Sequence, residues 1–300
     1  MSILITPDSG PAAAPARRAR GRARRFAVPL SRSTVVGLLL VAVNVVVALA
    51  APLLAPYSPT QPDALSAIEG PSGAHLLGTD QLGRDVLSRV LYGGRYALLI
   101  SLTATVLTVV VGTILGCLAA YRRGWLDEIL MRILDSILSV PAILALLVVV
   151  TALGSGAPVI ILAATIVYCP ALIRVVRAAA LSIVGLDYVT AARARGEGFW
   201  PVLAREIWPN ILDVVMVEFA MRASWIVLLI SSLSFLGFGA NPPTPDWGLM
   251  VSENRSLLTV VPMATVAPII ALASLIVGLN LAADGVAKAR GIDRITGGLR

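Results

Sequence analysis

Apolar residues come in six long blocks, at 35–54, 97–121, 137–153, 159–176, 211–236 and 263–283, and almost every charge lies between or beyond them. Blocks of about 17–26 residues match the length an α-helix needs to cross a hydrocarbon core, so each predicts a transmembrane helix. Pro141 and Pro170 fall inside the third and fourth blocks and predict kinks there. A proline removes one backbone donor and presses on the preceding turn. Residues 129–136 read as an amphipathic entry to the third span, and Pro158 closes an outer turn before the fourth.

The ends change this picture little. Residues 1–34 are rich in Ala, Pro and Arg without any period, which predicts a disordered tail at the inner surface. Ala48-Leu49-Ala50 imitates a signal cleavage site, but the apolar run continues to Leu54, so the first block is read as a retained span. Six spans put both termini on one side. Arg84, Arg89, Arg95 and Arg255 then fall outside, Arg222 within a span, and the other nineteen of the 24 basic residues inside. That is the positive-inside bias, and it places the loop at 187–210 in the cytoplasm.

Composition agrees. The chain is 57% hydrophobic and 14% charged, where a soluble domain carries about 25% charge. Its net charge of +7 follows the topology, with no basic surface interleaved with stacking aromatics, so nucleic acid is not a partner. Cys117 and Cys169 sit in apolar runs and read as small buried thiols. With His75 as the single histidine, they make no common zinc site. No phosphate-binding G-x-x-x-x-G-K-[ST] loop, H-E-x-x-H motif or nucleophile–base set is present, so the chain reads as neither ATPase nor other enzyme, with no metal or cofactor of its own.

The polar island at 187–210 holds two short helical patterns around Gly196 and Gly198. The first has an acidic start and arginines in its last turn, as the helix dipole favours. The second begins near Phe199, tolerates Pro201 in its first turn and is expected to end before Pro209. On its residues alone the pair suits an amphipathic hairpin lying on lipid or a docking elbow.

Within it, Thr190-Ala191-Ala192, Gly196, Ile207 and Pro209-Asn210 resemble the E-A-A…G…I-x-x-P loop of membrane subunits of ATP-binding-cassette importers. Thr190 stands where that family has Glu, and Glu206 where it often has His. Two outer stretches, His75 to Arg95 and Ser234 to Gly248, resemble permeases of the dipeptide, oligopeptide and nickel group more specifically. The segment Asn280 to Gly285 fits too, but Gly291-Ile292-Asp293 replaces the usual acidic-proline ending.

The resemblance implies an all-α integral membrane protein with six transmembrane helices and the type I importer permease fold. It divides the chain into an Arg-rich cytoplasmic tail (1–34), a first span (35–55), an external segment (56–96), a permease core (97–284) and a second cytoplasmic tail (285–300). It implies that the 187–210 loop couples to ATPase subunits through Thr190, Ala191, Ala192, Gly196, Ile207 and Pro209. The implied partners are a homologous second permease subunit, two ATPase subunits carrying ATP and Mg, an extracytoplasmic substrate-binding protein and membrane lipid. The implied activity is import of di- or oligopeptides across the cytoplasmic membrane by alternating access, with nickel chelates, haem or another small solute as alternative cargo.

Three readings of single residues remain. Glu218 and Arg222 stand four apart inside the fifth block, in the order that favours an ion pair. They line the translocation path or lock two helices together. Phe238, Asn241, Pro242 and Trp247 belong to an outer gate or binding-protein contact, or Phe238 and Trp247 anchor at the membrane interface. Asp85 is expected to start a short outer helix, His75 to be an exposed loop residue, and Asp135 to stay solvated near Arg132. A secondary transporter working alone would want several intramembrane carboxylates, and only Glu218 lies deep.

Overall fold

The computed structural model describes residues 32–289. The expectations for residues 1–31 and for the ending at Gly291 lie outside that range. Among the described residues the fold is helical, with one isolated bridge between Thr79 and Asp85. Its helices are α1 (Arg32–Leu54), α2 (Val86–Arg122), α3 (Trp125–Leu138), α4 (Ala142–Leu153), α5 (Ala157–Val184), α6 (Asp187–Ala194), α7 (Phe199–Val202), α8 (Trp208–Phe235), α9 (Trp247–Asn254) and α10 (Pro262–Ala289). Among the described residues, five stretches are long and apolar enough to cross a membrane, and α3 with α4, bent by 86°, make a sixth candidate.

Small residues set the closest helix approaches. Helices α2 and α5 pack along much of their length because Gly112 and Gly116 leave room: a Cβ on Gly112 would lie 2.5 Å from Leu172, and one on Gly116 2.9 Å from the Ile173 carbonyl. A glycine pair four apart is a recurrent membrane packing surface, since lipid offers no hydrophobic drive and backbone proximity must supply the dispersion contact. Helices α1 and α10 repeat the device with Gly37, Gly278 and Gly285, and Asn44 Nδ2 donates to Ser274 Oγ across them at 3.0 Å. The outward face of α1, with Leu39, Val46 and Leu49 exposed, is left for lipid.

The helices depart from the apolar blocks in three ways. No separate short helix follows Asp85. Asp85 caps α2 itself, accepting from the Ser88 amide, and α2 runs on for 37 residues, about 55 Å, so its first turns stand outside the bilayer core. The third span is broken rather than kinked. Pro141 takes an extended ψ of 131° and precedes α4, and a residue before proline, here Val140, is itself disfavoured in the helical region. The second half of the 187–210 loop does not end before Pro209. It continues through a π-helical turn, Leu203–Ile207, into α8, with Pro209 in the first turn, where a missing N–H costs least. Helix α5 runs unbroken through Pro170.

Candidate functional site

At one end of the bundle, α5 stops at Gly185 and α6 begins two residues later. Gly196 closes α6 at φ 81°, with Glu197 N–H donating to Ala192 O and Gly196 N–H to Arg193 O. That is the left-handed helix stop that glycine makes without strain, so the motif glycine has a backbone reason. Helix α7 and the π-turn then lead back, and the Trp208 amide reaches the Leu203 carbonyl five residues before it.

This elbow has two faces. Val189, Ala192, Val202, Leu203 and Ile207 are buried against Val176, Ala180 and Val184 of α5 and Cys117 and Ala120 of α2. Thr190, Ala191, Gly196 and Pro209 are exposed. The expected coupling residues therefore split, with Ala192 and Ile207 holding the elbow and the others facing solvent. Tyr121 at the end of α2 props it from the side: the Arg193 guanidinium lies 4.5 Å above its ring and Phe199 meets it edge-on at 5.5 Å. Neither contact was legible from spacing, because Tyr121 lies outside the loop.

Helix α8 carries the elbow into the membrane. About halfway along it, Arg222 donates from Nε and Nη2 to Glu218 Oε2 at 3.0 and 2.8 Å, and both side chains are largely buried. An unpaired charge at this depth would cost several kcal/mol, so pairing is what lets either residue exist there. Arg222 also lines a cleft of about 270 Å³ with Pro141, Ala145, Tyr168 and Ala171, at the bend between α3 and α4. The helix break and the charge pair thus meet.

Residues 112–290 match the family described as "binding-protein-dependent transport system inner membrane component". The chain belongs to that family. Among its relatives, the glutathione transport system permease protein GsiD of Pectobacterium atrosepticum is 40% identical over 221 residues, covering 74% of this chain and 73% of the relative. The dipeptide transport system permease protein DppC of Haemophilus influenzae is 34% identical over 265 residues, covering 86% and 90%. GsiD of Escherichia coli O157:H7 is 38% identical over 252 residues, covering 84% and 83%. The protein is a multi-pass inner-membrane permease, a transport subunit of a larger assembly and not an enzyme.

The end of this permease opposite the elbow carries a cap built on ion pairs that sequence reasoning missed. Asp80 Oδ2 accepts from Arg84 Nε at 2.7 Å and Arg89 Nη1 at 2.5 Å. Glu253 Oε2 of α9 accepts from Arg84 Nη2 at 3.0 Å and Arg89 Nη2 at 2.9 Å. Two acids meet two arginines, which cancels the charge and pins α9 to the start of α2. Burial pushes the Glu253 carboxyl above its ordinary value, and Arg84 partly holds it back. The i, i+4 spacing of Asp80 and Arg84 was the available signal.

The four residues expected at an outer gate do not act alike. Phe238 is half-buried, Asn241 accepts from Ser155 Oγ at 2.9 Å, and Pro242 is exposed. Trp247, 3% exposed, is no interface anchor: it packs beneath the cap with Ala97, Met250 and Leu275. Its motif neighbour Asp246 is buried too, and burial lifts that carboxyl to about 6 against the Leu249 amide's hydrogen bond. His75 is not a free loop residue either, since Nδ1 sits 3.0 Å from Asp85 Oδ1 and the ring lies against Tyr57. Asp135 pairs with Arg174, and Arg132 instead with Glu128. The Asp135 side chain is 62% exposed, in keeping with the solvated position expected, and its partner on α5 lies beyond what spacing could indicate.

Proposed function

We propose that this permease imports small peptides, driven by two ATPase subunits that seat the α6–α7 elbow, and fed by an extracytoplasmic binding protein. It pairs with a homologous second permease to enclose the path, and ATP and Mg are held by the ATPases. Both termini lie in the cytoplasm, a reading supported by the arginine bias toward the elbow side.

The observation that carries this reading is the elbow itself. An exposed face, Thr190 and Ala191, rides on a buried one, Val189 and Ala192, and its backbone runs without interruption into the helix bearing Glu218 and Arg222. A push on the exposed face therefore has a stiff route into the membrane. In alternating access, nucleotide binding would select one of two packings of these helices through that route. Glu218 and Arg222 line the path and meet the charged ends or backbone of the cargo. Phe238, Asn241 and Pro242 sit at its outer mouth. The peptide class is supported by relatives named for glutathione and dipeptide transport.

The test uses the full complex in proteoliposomes. Ala191→Trp should insert normally and lose binding-protein-stimulated ATP hydrolysis at least tenfold. Wild-type stimulation in that variant overturns the docking role. Uptake of labelled dipeptide or glutathione is expected, and uptake of a nickel chelate or haem with neither peptide transported overturns the cargo.

A further inference from the structure

Helix α3 is fastened to α5 twice by charge. Asp127, in the first turn of α3, takes both Arg177 Nε and Nη2 at 2.5 Å, a fork-to-fork pair with little exposure on the acid. Asp135, two turns on, pairs with Arg174 at a more exposed position. The two acids are about 12 Å apart along α3 and the two arginines about 4.5 Å apart along α5. Between the clamps, Leu130, Met131 and Leu134 fill the contact against Cys169 and Ile173.

Apolar packing alone would hold α3 near α5. A bidentate guanidinium–carboxylate pair does something further: it fixes direction, because two parallel hydrogen bonds resist rotation. The same α5 packs its last turns, Val176 to Val184, into the elbow. At the far end of α3 is the break at Pro141, where the cleft with Arg222 lies.

We propose that Asp127–Arg177, with Asp135–Arg174 in support, are positioning residues that make α3 and α5 one lever, so that movement of the elbow swings the α3–α4 bend and opens or closes the cleft. The proposal rests on the coupling role of the elbow. Its parts are sequential: the elbow receives the push, and the clamps pass it sideways to a helix that the elbow scarcely touches.

The experiment reads two quantities in the reconstituted complex, stimulated ATP hydrolysis and cargo transported per ATP. The Asp127→Asn, Arg177→Gln variant should keep stimulated hydrolysis and lose at least tenfold in transport per ATP. Exchanging the charges, Asp127→Arg with Arg177→Asp, should restore a substantial part of that ratio. A merely structural role would lower hydrolysis and transport together through loss of protein and leave their ratio unchanged. As a second variant, Asp135→Cys with Arg174→Cys is joined by a short bifunctional thiol reagent, and transport should survive because the helices move as one body. An unchanged transport-to-ATP ratio in the first variant, or transport blocked by the cross-link, overturns the proposal. Failure of the elbow reading is separable, since it shows as Ala191→Trp keeping its stimulated hydrolysis.

Discussion

Trp247 donates its indole Nε1–H to the backbone carbonyl of Val90 at 2.8 Å, joining α9 to the first turns of α2. The ring lies over Gly93 and Gly94, where an added Cβ would come within 2.8 Å of it. A large aromatic over two glycines is a lock whose parts are far apart in the chain. Trp247→Ala should cost about 3–5 kcal/mol of stability, the usual loss for a fully buried aromatic. Gly94→Leu should be as damaging from the other side. Thermal unfolding of the purified permease in detergent checks both, and the two changes together should cost less than their sum, because each already opens the same contact.

Gly116 offers a second packing test, deeper in the membrane. A side chain there meets the Ile173 carbonyl and Val176, neither of which yields easily. Overpacking of this kind costs about 1–3 kcal/mol or more, and it pushes α2 away from α5. Gly116→Leu is therefore expected to lower the unfolding temperature clearly, while Gly116→Ala lowers it less. Equal and negligible effects would mean that the two helices do not depend on this approach.

What the sequence made legible follows from how local each feature is. The spans were readable because a run such as 35–54 has no alternative use for so much apolar surface. The elbow's turn was readable because Gly196 sits where α6 must stop. Pairings between distant segments were not readable: nothing near Asp135 points to Arg174, and nothing near Trp247 points to Gly94. The fusion of α7 with α8 was missed because Pro209 normally ends a helix. A π-turn, Leu203–Ile207, just before it lets the helix pass.

Asp246 predicts a pH dependence of the cap over the start of α2. Its folded carboxyl titrates at about 6, above its ordinary 3.8, because burial disfavours the charged form. The folded state therefore binds the proton more tightly than the unfolded chain. Its contribution is fully present below about 3.8 and is lost as pH rises through about 6, amounting to about 2–3 kcal/mol. Asp246→Asn keeps an acceptor for the Leu249 amide and stays neutral. Asp246→Asn should melt several degrees higher than wild type at pH 7.5, with the gap closing toward pH 4. A gap that is constant across that range would show that the carboxyl is not the titrating group.

The pair in α8 separates a path from a brace. Glu218→Leu alone leaves Arg222 without its carboxylate partner in the middle of the span, and removing one member of a buried pair typically costs about 3–5 kcal/mol. Poor assembly of that variant is expected under either role. Glu218→Leu with Arg222→Met removes both charges and keeps the volume, so assembly should recover to near wild type. The roles then part. If Arg222 presents its guanidinium to cargo in the cleft beside Tyr168, the double variant assembles, hydrolyses ATP and transports peptide at least tenfold more slowly. Charge also predicts which cargo suffers, since a peptide with an amidated carboxyl end should lose less than one with a free carboxylate. Wild-type uptake by a well-assembled double variant would leave the pair as a brace between turns of one helix and remove it from the path.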